Sequence, residues 1–538
     1  MDGSRLSTPR QSAWKPAPWL ASALLFVLLV GGAPVIWLGI IALRDLPSSA
    51  ATLLSARTAT LLTSTIRLGV VVAVLAGGLG TVLGILAAKT DIVASRALVM
   101  MLTFPLFLPP YILALGWFTV LGRQGFAATL LGPYVGIVTS GSFFGFEGAV
   151  LVLTVAYMPI VLHLVKVGLA SIDPAIEEAA CIRFRWPRVI WRIHLPLIAP
   201  AIILGMLLTF MLVIGEFGVP AYLRYPVFSG AVFTQFAAFL DVKAAVVTSI
   251  PLAALVLGGV AIERYWLRAK VQFLARARTV SVVAPLGAWR GAASVAGWSY
   301  ALITVAFPLA GLVLQAGGGA NYVQALRGAG DSVLTSLWTS AVAATIVTAT
   351  GLLLAYLVER TGGSRRNVLD TALLLLFAAP GTVLGIALIV VWNRPGLTYV
   401  YASVAIVLIA YIAHYTPLAV RTIGVGLQAI SRSVEEAARI GNVGWIRMAT
   451  RVLLPLIAPA VAAAWALAFV FCLRDLDLVM TVHPPGVETL PIRLYTIMAN
   501  SASSVTAALG VIMVSVTTAC VLVIGAVLTF VRRMSAWS

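Results

Sequence analysis

Twelve separate runs of mostly apolar residues, each bounded by charge, constrain this 538-residue chain more than any other feature. They fall near 18–42, 66–88, 97–121, 148–169, 197–219, 243–263, 293–315, 333–358, 368–392, 400–424, 456–473 and 504–531. About 20 apolar residues in a helix cross the hydrocarbon core of a bilayer. Within lipid, only a structure that bonds every backbone group internally survives. The runs therefore predict an all-α integral membrane protein with about 12 transmembrane helices. The stretch from Ala127 to Phe146 reads as an additional short interfacial or re-entrant piece. The first run is too long for the apolar part of a signal peptide and no small-residue cleavage site follows it, so it reads as a retained helix. Composition agrees: 61% of residues are hydrophobic and 10% charged, against roughly 25% charged in soluble domains.

Lys and Arg number 36 against 18 Asp and Glu. A nucleic-acid binder gathers such charge on a soluble face; here it sits in loops between apolar runs, where it orients helices. Most of it falls on one side. That side holds Arg5, Arg10 and Lys15; Lys89 and Arg96; Lys166, Arg183, Arg185, Arg188 and Arg192; and Arg264, Arg268, Lys270, Arg276, Arg278 and Arg290. It continues with Arg360, Arg365 and Arg366; Arg421, Arg432, Arg439, Arg447 and Arg451; and Arg532 and Arg533. The positive-inside rule makes this side cytoplasmic with both termini on it, which an even helix number satisfies. Cys181, Cys472 and Cys520 are too scattered for a disulfide framework or a zinc site. His163, His194, His414 and His483 form no ligand spacing, so no metal site is expected.

The chain also repeats itself. Residues 195–200 and 454–459 both read LPLIAP, and each copy follows an acidic-alanine block, Glu177-Glu178-Ala179-Ala180 and Glu435-Glu436-Ala437-Ala438. Two homologous six-helix halves are expected, 18–263 and 293–538, joined by a basic cytoplasmic linker at 264–292 and preceded by a cytoplasmic tail at 1–17. Both halves start on the same side, so the repeat is parallel, with its axis along the membrane normal.

Both blocks fall between the fourth and fifth helix of their half, near 173–196 and 431–455, and both are written as short helices. Asp173 can cap the first, with Pro174 at the first helical position. Ser431 or Ser433 can cap the second, and Ser433 with Glu436 fits a capping box. Glutamates suit the positive end of a helix dipole. The pairs Leu195-Pro196 and Leu454-Pro455 should then bend the chain into the next span.

These loops resemble the EAA motif of permeases from binding-protein-dependent ABC importers, which runs EAA, three residues, Gly, nine residues, Ile, one residue, Leu-Pro. The second loop matches at Glu436, Ala437, Ala438, Val452, Leu454 and Pro455, with Gly441 one place early and Asn442 in the glycine position. The first matches at Glu178, Ala179, Ala180, Ile193, Leu195 and Pro196, is one residue shorter, and has Phe184 in the glycine position. The resemblance implies the type I (MetI-like) ABC importer permease fold. It also implies that Glu177, Glu178, Ala179, Ala180 and Pro196, with Glu435, Glu436, Ala437, Ala438, Gly441 and Pro455, build two coupling helices. Each would dock on one copy of a cytoplasmic ATPase. No Walker-type sequence occurs, so no cofactor is expected on this chain, and ATP and Mg belong to the partner ATPase. The glycines from Gly77 to Gly84 lie in an apolar span and read as helix-packing residues.

Aligning the halves on LPLIAP sets Glu216 opposite Asp475, with Arg474 and Asp477 alongside. Ionisable groups at membrane depth are expensive and face a bundle interior or a water-filled cavity. The four residues thus suggest a cation-attracting entrance or gate on the translocation path; an ion pair with Arg474 or an interfacial position is the plainer reading. Tyr222, Arg224, Tyr225, Phe228 and Gln235, and His483, Pro484, Pro485, Glu488 and Arg493, form candidate outer docking surfaces.

The stretches FPLFLPPYILALGW, IGEFGVPAYL and LRDLDLVMTVHPPGVETLPIRLY narrow the resemblance to the ferric-iron branch of these importers, whose relatives include thiamine, polyamine, sulfate and aminoethylphosphonate permeases. What this implies is one fused chain in the bacterial inner membrane. It would receive a small solute, ferric iron first, from a periplasmic binding protein and import it by alternating access. Thiamine, polyamine or phosphonate are the alternatives. Twelve helices in two parallel halves also suit a secondary transporter of major-facilitator type, in which the EEAA and LPLIAP loops have no task. No nucleophile, metal-ligand or carboxylate constellation supports an enzyme.

Overall fold

The computed structural model describes residues 18–267, 283–361, 363–441 and 443–535. The expected tail at 1–17, the linker residues Arg268, Lys270, Arg276 and Arg278, and Asn442 lie outside the described residues. The described chain is helical, with one isolated bridge between Thr90 and Ala284. Among the described residues, ten helices are long and apolar enough to cross a membrane: Leu20–Asp45, Ala56–Lys89, Phe146–Ala170, Trp186–Gly215, Val242–Tyr265, Gly287–Ala316, Gly319–Arg360, Ala405–Gln428, Trp445–Arg474 and Ser503–Thr529. Two further apolar stretches are sharply bent, Ser95–Phe107 with Pro110–Leu131 at 105° and Arg366–Ala378 with Gly381–Trp392 at 102°.

The bends correct the straight helices expected over 97–121 and 368–392. Pro109 and Pro380 stand at the two breaks with near-identical extended backbones (φ −58°, ψ 132° and φ −55°, ψ 139°). Neither has an N–H to continue a helical ladder. Packing register makes each bent pair a full crossing. Gly80 lies against Val161 and Met158, and Gly84 against Val165, so Ala56–Lys89 and Phe146–Ala170 run in the same direction. Gly351 lies against Ala419 and Gly424 beside Glu359, so Gly319–Arg360 and Ala405–Gln428 are parallel as well. Two parallel helices in sequence need one return crossing between them, and the bent pair supplies it. The described residues thus cross twelve times. The extra piece after the first bend is the pair of short helices Phe126–Leu131 and Pro133–Phe143.

Small residues let these helices approach. A Cβ at Gly77 would stand 2.7 Å from Met206 Cγ, and one at Gly80 would stand 2.8 Å from Val161 Cβ. The first helix of each half packs on the other half. Gly31 abuts Ala413 and Leu376, while Gly116 backs onto Pro308 and Trp298 Nε1 donates to the Val93 carbonyl at 3.0 Å. Loops on one face are tied in series: Lys89 to Glu177, the Ala284 N–H to the Lys89 carbonyl at 2.7 Å, Arg264 to Asp370 at 2.5 Å, and Arg360 to Glu435. Both acidic-alanine helices therefore share one face.

Gly80→Leu is expected to lower stability by about 1–3 kcal/mol through overpacking. Gly78, which faces open space, should accept Ala with a change under about 1 kcal/mol. Thermal unfolding of the purified protein in detergent checks both.

Candidate functional site

The first acidic-alanine helix, Pro174–Arg183, begins where the Asp173 carboxylate accepts the Ala175 N–H at 3.1 Å, with Pro174 at the first helical position. The second, Arg432–Ile440, begins one residue after Ser431, whose hydroxyl accepts the Ser433 N–H at 3.2 Å. Ser433 lies in the first turn, so the expected capping box with Glu436 does not form. The leucine-proline pairs do not make the bend either. Pro196 and Pro455 lie inside the continuous helices Trp186–Gly215 and Trp445–Arg474. Each missing N–H is absorbed by a widened turn just before it, Ile190–His194 and Ala449–Leu453. The chain turns earlier, at extended Phe184-Arg185 and at Gly444.

The two glutamates of each block point in different directions. Glu177 is fully buried and accepts from Lys89 Nζ, with His194 Nε2 3.0 Å away. Glu435 is half-buried, pairs with Arg360, and accepts from the Tyr356 hydroxyl at 3.1 Å. Lys89 and Arg360 occupy the same place, the last residue of the second spanning helix of each half. Glu178, Ala179, Glu436 and Ala437 are exposed, Ala180 is buried and Ala438 half-buried. Helical periodicity thus divides the labour: one glutamate fastens the short helix to the membrane body and the next faces water. Burial raises the Glu177 carboxyl, but the bonds from His194 and Lys89 outweigh it and hold the group below the usual carboxylate range. In the second half Leu453 stands where His194 is.

Glu216, Asp475, Asp477 and Arg474 come together around a cavity of about 130 Å³. Glu216 and Asp475 are only 7% and 9% exposed, and each directly follows the last residue of the fifth helix of its half. Glu216 accepts from the Tyr157 hydroxyl at 2.6 Å, and Asp475 accepts from the Tyr415 hydroxyl. The tyrosines are themselves equivalent, each two residues before a proline within the fourth helix of its half, Pro159 or Pro417. The other two groups break the symmetry. Asp477 accepts the Phe217 N–H across the halves at 3.1 Å. Among the described residues Arg474 pairs with no carboxylate; its guanidinium donates to the carbonyls of Leu106 and, at 3.3 Å, Leu108, and lies 4.7 Å over the Phe471 ring. Helix breaks expose such carbonyls, and a buried acceptor needs a donor.

Several contributors carry no local motif. Lys89, His194 and Arg360 read only as loop charge or an isolated ring, and Tyr157 and Tyr415 as span residues. The repeat itself held the signal, since Tyr-x-Pro recurs at equivalent positions. Of the outer-loop residues, Phe228 is buried and Tyr222 packs edge-on against Phe118, so these two face the protein interior.

The family described as "Binding-protein-dependent transport system inner membrane component" matches this chain twice, over residues 80–269 and 348–535. A putative ferric transport system permease protein, FbpB 1, of Haemophilus influenzae is 26% identical over 398 residues, 68% of this chain and 61% of that protein. The ferric transport system permease protein FbpB of Actinobacillus pleuropneumoniae is 25% identical over 68% of this chain and 56% of its own length. A further relative from Haemophilus influenzae, the Fe(3+)-transport system permease protein FbpB 2, is 24% identical over 89% of this chain and 92% of its own. The match thus spans less than two thirds of the first two relatives.

Because the folded Glu177 carboxyl lies below its ordinary range, the stability it contributes is complete above the unfolded value, about 4.3, and is lost as pH falls through the lower folded one. Hydrogen-exchange protection of Pro174–Arg183, corrected for intrinsic rates, should be flat from neutral pH to about 5 and fall below about 4. Glu177→Gln should remove that step. Lys89→Met leaves a buried carboxylate short of its cation and should cost about 3–5 kcal/mol, read as a lowered Tm.

Proposed function

This chain belongs to the family of inner-membrane components of binding-protein-dependent transport systems, and we propose that it forms the whole permease of an ATP-driven importer. The observation that carries this is the pair of equivalent short helices on one face. Each is fastened through its first glutamate to the end of a spanning helix, and each presents its second glutamate to water. Such a helix can transmit motion of a docked partner without deforming. In this reading the face is cytoplasmic, both termini lie on it, and two copies of a separate ATPase dock there, carrying the ATP and Mg. A periplasmic binding protein delivers the solute to the opposite face, and segment 264–292 joins the halves.

Ferric iron is the solute this reading favours. The three relatives described above are named for ferric transport, and three carboxyl groups in the cavity wall supply oxygen acceptors suited to a cation. Glu216, Asp475, Asp477 and Arg474 would then line the translocation path. A secondary transporter gives the two exposed glutamates nothing to do.

Charge reversal tests the coupling contact. Glu178→Arg or Glu436→Arg should each reduce co-purifying ATPase about tenfold, the double variant should retain none, and uptake of ⁵⁵Fe(III) delivered by the binding protein should fall in parallel. Full ATPase retention by the double variant contradicts the proposal.

A further inference from the structure

The central cavity is not placed symmetrically between the halves. The repeat pairs Gly215 with Arg474 and Leu212 with Phe471 at the offset of 259 set by LPLIAP at Leu195 and Leu454. It pairs Phe377 and Ala379 with Leu106 and Leu108 at the offset of 271 set by the breaks at Pro109 and Pro380. On one side of the pseudo-twofold, Arg474 closes the space: it holds the carbonyls of Leu106 and Leu108 and lies over Phe471. Leu212 and Gly215 line the cavity together with their counterparts Phe471 and Arg474, but Leu106 and Leu108 do not line it, whereas their counterparts Phe377 and Ala379 do. The cavity is displaced towards the place where a counterpart of Arg474 would lie, and glycine stands there instead.

We infer that this cavity takes a compact cation bearing N–H or O–H donors, an ammonium, a guanidinium or a hydrated metal ion, in a position equivalent to the guanidinium of Arg474. This rests on reading the chain as a permease and deepens it by naming the chemical class that the path selects. The tethered guanidinium shows what the twin environment accepts, a donor-rich cation beside a broken helix; there Leu212 stands in place of Phe471, and Phe377 is an aromatic residue of the cavity wall. The wall agrees in kind, since the carboxyl groups of Glu216, Asp475 and Asp477 offer oxygen acceptors there beside Arg474 and His414. Among the described residues no three of His, Cys, Asp or Glu stand together to hold a bare metal, which favours a cation that keeps its own water or amine shell.

A side chain at position 215 can be built: a Cβ there would stand 3.4 Å from Pro380 Cβ, an ordinary contact. The complex with its ATPase, in nanodiscs, is tested by equilibrium binding of ¹⁴C-methylguanidinium and, separately, of hexamminecobalt(III), a stand-in for a hydrated trivalent ion. At least one probe should bind saturably. Gly215→Arg should reduce that binding about tenfold or more while the ATPase stays bound, and the exchange variant Gly215→Arg/Arg474→Gly should restore it by opening the twin side. Absence of saturable binding by both probes, or wild-type binding in Gly215→Arg, overturns the inference. Should Gly215→Arg fail to assemble, Leu212→Trp, which fills the same space from one turn away, decides by the same criterion. Loss of the ATPase from the wild-type chain would instead count against the coupling role, and probe binding would still decide the cavity.

Discussion

A carboxylate withdrawn from water needs a cation or strong hydrogen-bond donors, and that requirement fastens the face that carries the two acidic-alanine helices. Glu177 and Glu435 open the acidic-alanine blocks, yet each turns inward to a cation at the end of the second spanning helix of its half. With the inward glutamate fixed, the 100° step of an α-helix carries the next residue outward, so Glu178 and Glu436 are exposed by the same bond that anchors the helix. The widened turns at Ile190–His194 and Ala449–Leu453 then run without interruption into the fifth spanning helices. At the far ends of those helices sit Glu216 and Asp475. Anchored short helix, fifth spanning helix and cavity wall follow one another along the chain in each half.

The cavity follows from a second constraint of the same kind. Proline breaks two spans, each break frees carbonyls, and buried carbonyls need donors. One side is served by Arg474 from the opposite half. The other keeps glycine and an open volume. The repeat sets two related environments side by side, and among the positions where they diverge, Arg474 against Gly215 decides which one is closed by a guanidinium and which keeps its open volume.

Much of this was legible in the sequence and some was not, for identifiable reasons. Span positions followed from hydrophobic length, and the two short acidic-alanine helices from EEAA and LPLIAP, because both patterns are local. The bends at Pro109 and Pro380 were hidden because the flanking residues remain apolar and the hydropathy run continues across the break. The partners of Glu177 and Glu435 were hidden because Lys89 and Arg360 lie 88 and 75 residues before them, and only the fold brings them together. Glu216 and Asp475 were found by aligning the halves; their tyrosine donors obey the same alignment one residue out of register, which is the residue the first loop lacks.

The central claim is that both short helices project from one cytoplasmic face and are covered there by a partner. Labelling with a membrane-impermeant maleimide tests it most directly, using Ala179→Cys and Ala437→Cys in a chain whose native cysteines are replaced by serine. Both positions should label in inverted vesicles and not in intact cells, and both should be protected when the ATPase is bound. Labelling of either position from the outside, or protection of only one, would contradict the account.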